Sequence, residues 1–265
     1  MPEIAEVEIM ARQLDSWVSG QRLEAVQVED DRLQALPWTQ LRGQVVRTVH
    51  RRGKYAIAEF AAGFSLCIHY RMTGKTVLDP ERSRAARLRF IFEGGRCVAF
   101  VDSRRFGTMD LVPTPDLEAW IRGKGLGPEP WPVLRSGDWW KDRLARVRSP
   151  IKVALIRQDR VAGLGNIAAA EVLFRARIHP ALRPDTLDDD DWARLAEAVP
   201  AFIEHTLQAE GGAELSYVNQ GGEGSFSVYG KEGEPCPGCG GAVHRIAQAG
   251  RGTYFCPRCQ PLRLD

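Results

Sequence analysis

Four cysteines close to the end of the chain have the spacing of a metal site. They form two CxxC pairs with sixteen residues between the pairs. Each pair directs two thiolates at one point, and two pairs complete the tetrahedral sulfur site that zinc prefers. Because four thiolates leave no position for water or substrate, we expect one structural Zn²⁺. A redox function of the CxxC pairs is the alternative, but no thioredoxin-like βαβ pattern surrounds them. The predicted ligands are Cys236, Cys239, Cys256 and Cys259.

The first residues of the chain offer a second kind of chemistry. Pro2 follows Met1, and Glu3 and Glu6 come directly afterwards. Proline and acids also suit the first turn of a helix, so helix initiation alone explains the pattern. If Met1 is removed, however, Pro2 presents a secondary amine with an α-amino pKa of about 7.7–8.0, against about 10.4 for lysine. Such an amine attacks a sugar aldehyde carbon to form an iminium, with Glu3 as proton shuttle and Glu6 on the same helix face.

A glycine-rich turn, VAGLGN at 161–166, separates two segments with helical spacing. Its backbone N–H groups at the start of the next helix would suit an anion, and Asn166 would add a donor. The turn is neither a P-loop nor a dinucleotide fingerprint, because no GK[ST] follows it and no strand precedes it. An ordinary corner between two helices explains it equally well.

Composition excludes several classes of protein. The 265 residues are 44% hydrophobic and 26% charged, as in ordinary globular proteins. No apolar run approaches the roughly 20 residues of a membrane span, and the acidic start indicates no secretory signal, so we expect a cytoplasmic protein. A net charge of +2 does not by itself indicate a polyanionic partner. Basic residues cluster, however, at 143–160 and after 236, which favours a partner bound on one face.

The predicted secondary structure that positions these residues changes from strands to helices along the chain. We expect a helix over about 3–19, followed by short strands over 22–113 that predict an antiparallel sandwich or barrel. A Gly- and Pro-rich linker follows at 123–133. Beyond it the spacing is helical, and one helix is predicted to begin with Ser149 as N-cap and Pro150 at its first position.

The fold class is therefore multi-domain α+β. Between the CxxC pairs, two short strands with a Gly-containing turn predict a zinc-ribbon hairpin, with Arg251 at its tip between Gly250 and Gly252. An arginine on a metal-braced tip offers a fork for phosphate. The predicted divisions are a β domain at 1–122, the linker at 123–133, a helical domain at 134–230 and a zinc ribbon at 231–265.

Six motifs in one order complete the pattern, and they span almost the whole chain. They are PEIAEVE at the start, RRGKY around Lys54, HYRMTG at 69–74, DSRRFG at 102–107, SPIK…GLGNIAAAE at 149–171, and VYGKEGEPCPGC…RGTYFCPRC at the end. In this combination the chain resembles the formamidopyrimidine-DNA glycosylase / endonuclease VIII family of base-excision repair enzymes. The resemblance implies a β-sandwich domain with an opening helix, a helix-two-turn-helix, a zinc ribbon, and a bifunctional DNA glycosylase/AP lyase.

The resemblance also implies a function for each candidate residue. Pro2 would attack C1′ of the damaged nucleotide, displace the base and form a Schiff base that leads to β,δ-elimination. Glu3 would be the general acid/base, Glu6 would support it, and Lys54 would contact phosphate and assist catalysis. Arg251 is predicted to belong to the catalytic residues and also to contact a phosphate. The other residues expected to contact DNA are His69 and Asn166 at phosphates, Met72, Arg104 and Phe106 in the gap left by the flipped base, and Lys152 and Tyr229. Without the resemblance, Met72 and Phe106 would be taken for core residues at strand ends.

The damaged base is predicted from finer features. The motifs DSRRFG, SPIK and VYGKEGEPC are similar to those of the family branch that removes oxidised purines from double-stranded DNA. We also expect the protein to act as a monomer without an obligate protein partner. Ala5 replaces a usual proline, Ala168 replaces a common tyrosine, and the base-capping loop before Tyr229 is shorter than in that branch. The alternatives are an endonuclease VIII-like enzyme for oxidised pyrimidines, a non-catalytic DNA-damage binder, and a zinc-ribbon protein that binds protein partners.

Overall fold

The computed structural model describes residues 1–79, 85–210 and 226–263. The chain divides into one unit of Met1–Pro2 with Glu6–Lys124 and a second unit of Glu3–Ala5 with Gly125–Asp265. The elements are α1 (Ile4–Val18), β1 (Leu23–Val28), β2 (Val46–Arg52), β3 (Tyr55–Phe60), β4 (Phe64–His69), β5 (Lys75–Leu78), β6 (Ala86–Phe92), β7 (Cys97–Val101), β8 (Thr108–Pro113), α2 (Leu117–Gly123), α3 (Gly137–Leu144), α4 (Ile151–Leu155), α5 (Asn166–Arg175), α6 (Asp189–Glu210), β9 (His244–Gln248) and β10 (Arg251–Phe255). The four-part division from composition stays a prediction, and α2 extends one residue into the predicted linker.

The first unit contains two antiparallel four-stranded sheets among its described residues. Their strand orders are β1-β6-β7-β5 and β2-β3-β4-β8. Alternation in β6 shows why the sequence forms such a sheet: Ala86, Leu88, Phe90 and Phe92 are buried, and the residues between them are only half-buried. Successive side chains of a strand point to opposite faces, so this spacing covers one face of the sheet with apolar groups.

The helices of the second unit surround one apolar core. Trp140 of α3, Leu155 of α4, Leu173 of α5, and Trp192 and Val199 of α6 are all at most 1% exposed within it. The turn between α4 and α5 contains the glycine-rich sequence, and the pair forms the expected helix-two-turn-helix. Together with the sheets and the β9–β10 hairpin, these helices confirm the predicted fold class. In the described ranges no helix combines the length and the apolar character needed to cross a membrane.

The predicted N-cap of α4 is wrong. The helix begins at Ile151 with Pro150 in the capping position and with no side-chain cap. Its first N–H groups are instead satisfied by distant carbonyls, because Ile151 N donates to Leu182 O and Lys152 N donates to Pro180 O. The hydroxyl of Ser149 is buried without a hydrogen-bond partner among the described residues.

Gly74, in the turn between β4 and β5, allows a close backbone approach that can be tested. A Cβ at this position would lie 2.4 Å from the carbonyl oxygen of Tyr70, so the backbone must move to admit it. We expect Gly74→Ala to lower the free energy of unfolding by about 1–3 kcal/mol, in the range of overpacked sites. Urea denaturation followed by tryptophan fluorescence measures the change.

Gly123→Ala is the matched control for this substitution. Gly123 ends α2, and a Cβ there would have no neighbour within 4 Å. Alanine is favoured over glycine in a helix by about 0.5–1 kcal/mol, so stability should stay the same or rise. Equal stability of Gly74→Ala and the wild type would contradict the assigned close approach.

Candidate active site

The four cysteines of the two CxxC pairs converge on one point. Their sulfur atoms all lie within 4.8 Å of one another, with Cys236 and Cys259 separated by 3.8 Å and Cys239 and Cys256 by 3.5 Å. Tetrahedral zinc with Zn–S bonds of about 2.3 Å requires sulfur–sulfur distances of about 3.8 Å, so the donors fit this ion. The amide of Gly238 donates to the sulfur of Cys236 at 3.4 Å, which orients that ligand. The prediction of one structural zinc is confirmed.

The zinc-ribbon hairpin has a two-residue turn. Ala249 and Gly250 have φ values of 48° and 72°, the two positive values that a type I′ turn requires. Arg251 is therefore the first residue of β10, opposite Gln248, and lies one residue after the tip rather than on it. Its side chain is exposed. The ribbon thus presents a guanidinium from a strand end with a fixed register.

The glycine-rich turn does bind an anion at the start of α5, and the anion belongs to this chain. Both carboxylate oxygens of Glu3 accept backbone N–H groups there, from Ile167 at 3.1 Å and from Ala168 at 2.9 Å. The amide of Ile4 donates to the carbonyl of Gly163. The turn is therefore both a helix corner and an anion site. The predicted donation from the Asn166 side chain to that anion is wrong, because its nitrogen bonds Gly252 O and Tyr229 instead.

Asn166 and Lys152 are bonded to each other in the same unit. The ammonium of Lys152 donates to the side-chain oxygen of Asn166, whose nitrogen donates to the carbonyl of Gly252 at 2.9 Å. Asn166 therefore connects the helix-two-turn-helix to the residue after Arg251. Burial, with the positive charge of Arg251 as second cause, lowers the pKa of Lys152 to about 8, and Glu3 partly opposes this shift.

In the first unit, Lys54 lies in the two-residue turn between β2 and β3, and His69 ends β4. Both are buried, as are Pro2 and Glu6. His69 accepts the backbone N–H of Arg71 on Nδ1 at 3.1 Å, so its proton is on Nε2. Burial, followed by the charges of Arg71 and Lys54, lowers the pKa of His69 to about 4. The imidazole is therefore a neutral donor at pH 7.

Met72 and Phe106 are not core residues. Their side chains are 43% and 48% exposed, and the guanidinium of Arg104 lies 4.7 Å from the centre of the Phe106 ring. The loops that carry them are tied together by Asp102, which is fully buried. Its carboxylate accepts the hydroxyl of Thr73 at 2.5 Å and the backbone N–H groups of Arg104 and Gly107 at 3.2 and 2.7 Å.

Tyr229 is held by its backbone and by its ring. Glu171, which is 1% exposed, accepts the backbone N–H groups of Ser227, Val228 and Tyr229 at 2.8–2.9 Å. The Tyr229 ring packs edge-on against Tyr254 of the ribbon at 5.1 Å. The predicted short capping loop, within YVNQGGEGSFSVYG at 217–230, lies mostly outside the described residues.

Several residues that organise these segments were not predicted from the sequence. They are Thr73 and Asp102 between the two exposed loops, Glu171 beneath Tyr229, and Gln158, which bonds Gly163 N and Leu164 O within the glycine-rich turn. One local signal could have identified Asp102: an acid directly after a strand, as in DSRRFG, often accepts the backbone N–H groups of the turn that follows. Ala5 and Ala168, the departures noted in the sequence, lie in the apolar core of the second unit.

Three family profiles match the chain. The profile described as "Formamidopyrimidine-DNA glycosylase N-terminal domain" matches residues 1–109, and "Formamidopyrimidine-DNA glycosylase H2TH domain" matches residues 126–216. "Zinc finger found in FPG and IleRS" matches residues 233–262. The first match lies mainly in the first unit, and the other two lie in the second unit.

Full-length relatives are similar to the chain in sequence and in structure. Proteins named formamidopyrimidine-DNA glycosylase from Cereibacter sphaeroides and Heliobacterium modesticaldum are each 38% identical, over 98% of this chain and 100% of the relative. Lactococcus lactis Fpg in complex with DNA containing an abasic site has a TM-score of 0.87 at 32% identity. The same protein in complex with DNA containing FAPY-dG has a TM-score of 0.88 at 31% identity. Both structures cover 98% of this chain and 100% of their own.

The lowered pKa of His69 predicts a pH dependence of stability. Between pH 6.5 and pH 4 the unfolded chain binds a proton at this histidine and the folded chain does not, so stability falls as the pH falls through this window. From pH 7 to pH 5 the wild type should lose about 2 kcal/mol more than His69→Gln. Denaturant unfolding at each pH gives the difference, and His205→Gln, at an exposed histidine, is the control. Parallel curves of unfolding free energy against pH for the wild type and His69→Gln would disprove the predicted contribution of His69.

The zinc centre predicts one metal ion per chain and a ribbon that depends on it. Cys256→Ser should bind no zinc and should lose amide protection over 244–255, because metal binding supplies the folding free energy of such a module. A colorimetric zinc assay and hydrogen exchange measure the two effects. Cys67→Ser, at a buried cysteine of β4 outside the site, should keep one zinc. A protected hairpin in Cys256→Ser would argue against a metal-dependent fold.

Proposed function

Because the chain belongs to the formamidopyrimidine-DNA glycosylase family, we propose that it removes oxidised purines from double-stranded DNA and then cleaves the strand by β,δ-elimination. The family has DNA glycosylase and AP lyase activity, so the family and the enzyme class expected from the motifs are both confirmed. The proposed substrates are formamidopyrimidines and 8-oxoguanine.

One observation carries the lesion class. The solved relative that was crystallised on FAPY-dG DNA is similar to this chain over nearly the full length of both. DSRRFG adds support, because its arginine and phenylalanine are the wedge residues expected of the purine branch, and both are exposed. An aromatic ring and a guanidinium are suitable fillers for the gap that a flipped base leaves.

The proposed reaction begins at Pro2, exposed as the terminal amine when Met1 is removed. Its nitrogen attacks C1′, the glycosidic bond breaks, and the base leaves with the bonding electrons. The sugar ring opens to an iminium, which acidifies C2′ and permits elimination of the 3′ phosphate and then of the 5′ phosphate. Glu3, the next residue, moves protons at the sugar ring. Each of its oxygens accepts one N–H of α5, which fixes the carboxylate at the first turn of that helix.

Residues of the first unit are proposed to bind and distort the DNA. Lys54 supplies a charge for the phosphate beside the reacting sugar and assists catalysis, and Glu6 supports the reacting end. His69 donates from Nε2 to a phosphate as a neutral group. Met72, Arg104 and Phe106 enter the space of the flipped base as a preformed wedge, because Asp102 fixes the loops that carry them.

Residues of the second unit are proposed to grip the backbone. Arg251 contacts a phosphate from the ribbon, with Lys152 as a second cation and Tyr229 as a further DNA contact. Asn166 positions this group through Gly252, and its long 3.5 Å contact to Tyr229 is the one that a phosphate replaces. One chain supplies every residue in the scheme, so we propose that the protein acts as a monomer on damaged DNA.

Borohydride trapping tests the proposed reaction. Reduction converts the iminium into a stable amine, so an attacking protein becomes cross-linked to its DNA. We expect cross-links with duplexes that contain 8-oxoguanine or formamidopyrimidine, and none when one extra residue is retained in front of Pro2. The masked protein must still contain one zinc and bind the duplex, which shows that masking leaves the fold intact.

The other outcomes of this experiment are distinct. Cross-linking only to an oxidised-pyrimidine duplex would replace the proposed lesion class with that of endonuclease VIII. Tight binding to every duplex without cross-linking would exclude the proposed reaction for this chain. Cross-linking that survives masking would assign the nucleophile to a different amine.

A further inference from the structure

A buried carboxylate beside the wedge orients two arginines. Asp30 is 2% exposed and is bonded by the guanidiniums of Arg32 and Arg105. Arg105 bonds through Nε at 3.0 Å and Nη2 at 2.6 Å, and Arg32 through Nε at 3.2 Å and Nη2 at 2.9 Å. Arg105, and after it Arg32, holds the pKa of Asp30 far below its ordinary value. The acid is thus a fixed anchor for both forks.

The two arginines keep hydrogen-bond donors for a ligand. Each uses its Nε/Nη2 edge toward Asp30, which leaves Nη1 and the outer edge of the planar group for another partner. The side chains of Arg32 and Arg105 are 54% and 47% exposed, whereas that of Asp30 is 3% exposed. The positive charge therefore faces solvent and the compensating charge does not.

Arg32 and Arg105 both line a cavity of about 310 Å³. The other five lining residues carry no charge: Leu33, Phe106, Gly107, Thr108 and Met109. The cavity thus combines an apolar wall with two pre-oriented cations. A guanidinium fork matches the geometry of a phosphate, and the apolar wall suits the sugar beside it. Phe106 belongs both to this wall and to the proposed wedge.

We infer that this cavity binds a backbone phosphate of the DNA next to the step that Phe106 opens, with Arg32 and Arg105 as its ligands. The inference rests on the proposed function for its ligand and adds a phosphate contact to it. Asp30 is a positioning residue in this site: it holds the outer edges of both forks toward the cavity before DNA arrives.

The salt dependence of DNA binding tests the site. The observed affinity for a duplex with a stable abasic-site analogue is measured between 50 and 200 mM salt. Each phosphate that is neutralised contributes about 0.9 to the slope of log affinity against log salt concentration. Asp30 with the two arginines has a net charge of +1, and Arg32→Gln removes that net charge, so the slope should decrease by about 0.9. Arg105→Lys should keep the slope and weaken binding several-fold, because the charge remains and the fork is lost.

Arg22→Gln is the matched control. Its side chain is 54% exposed, like that of Arg32, and it lies 3.9 Å from the carboxylate of Glu93. We expect its slope to equal that of the wild type. A slope for Arg32→Gln equal to that of the wild type, or an equal decrease in Arg22→Gln, would overturn the site.

Neutral methylphosphonates then identify the phosphate and its strand. One substitution should weaken wild-type binding more than it weakens binding by Arg32→Gln, since the variant has already lost one of the two ligands of that phosphate. A changed preference for the base opposite the lesion, with an unchanged slope, would assign the cavity to a base and reject the inference. A lower slope in Arg32→Gln, together with no borohydride cross-link by the wild-type protein, would refute the proposed reaction alone.

Discussion

The bond between the Glu3 carboxylate and the first turn of α5 is the contact on which the second unit depends. The bond places the negative charge of Glu3 at the positive end of a helix that lies more than 160 positions away in sequence. Ile4 adds a hydrogen bond to Gly163 in the turn before that helix. Gly163 has a φ of +95°, and a Cβ there would lie 3.0 Å from Ile4. The next link is Asn166, which bonds Gly252 of the metal-braced hairpin. Hydrogen bonds made by the first residues of α5 therefore connect the residue after Pro2 to the strand of Arg251.

Buried carboxylates fix the irregular segments of this protein in the way that backbone ladders fix its strands. Asp102 fixes the loops of the wedge, Glu171 fixes the backbone that leads to Tyr229, and Asp30 fixes two guanidiniums. Each is at most 2% exposed and accepts several donors. Removing one partner from such a group leaves a buried polar atom unsatisfied, which costs more than a surface bond contributes. Loops that carry chemistry can thus be as well defined as the sheets between them.

The parts of the site that could be predicted are those whose signal is local. Two CxxC pairs define a zinc site because each pair is complete within four residues, and alternation over seven residues defines β6 as a strand with one buried face. Ser149 was misassigned because the first N–H groups of α4 are satisfied by Pro180 and Leu182, some thirty residues later. The anion at the glycine-rich turn could be anticipated, but not its source. Glu171 and Asn166 act across 56 and 86 residues, a distance at which residue spacing gives no information.

The rigidity of the wedge loops has a consequence for the DNA. Asp102 bonds both loops that carry Met72, Arg104 and Phe106. If these residues enter the duplex as proposed, little of the deformation would fall on the loops, and the duplex would supply the bend. Base-pair steps differ in the energy that bending them costs, and pyrimidine–purine steps are among the most flexible. In the proposed function, a fixed wedge would make the mechanical stiffness of the sequence around a lesion part of how the lesion is recognised, independently of direct contacts to the bases.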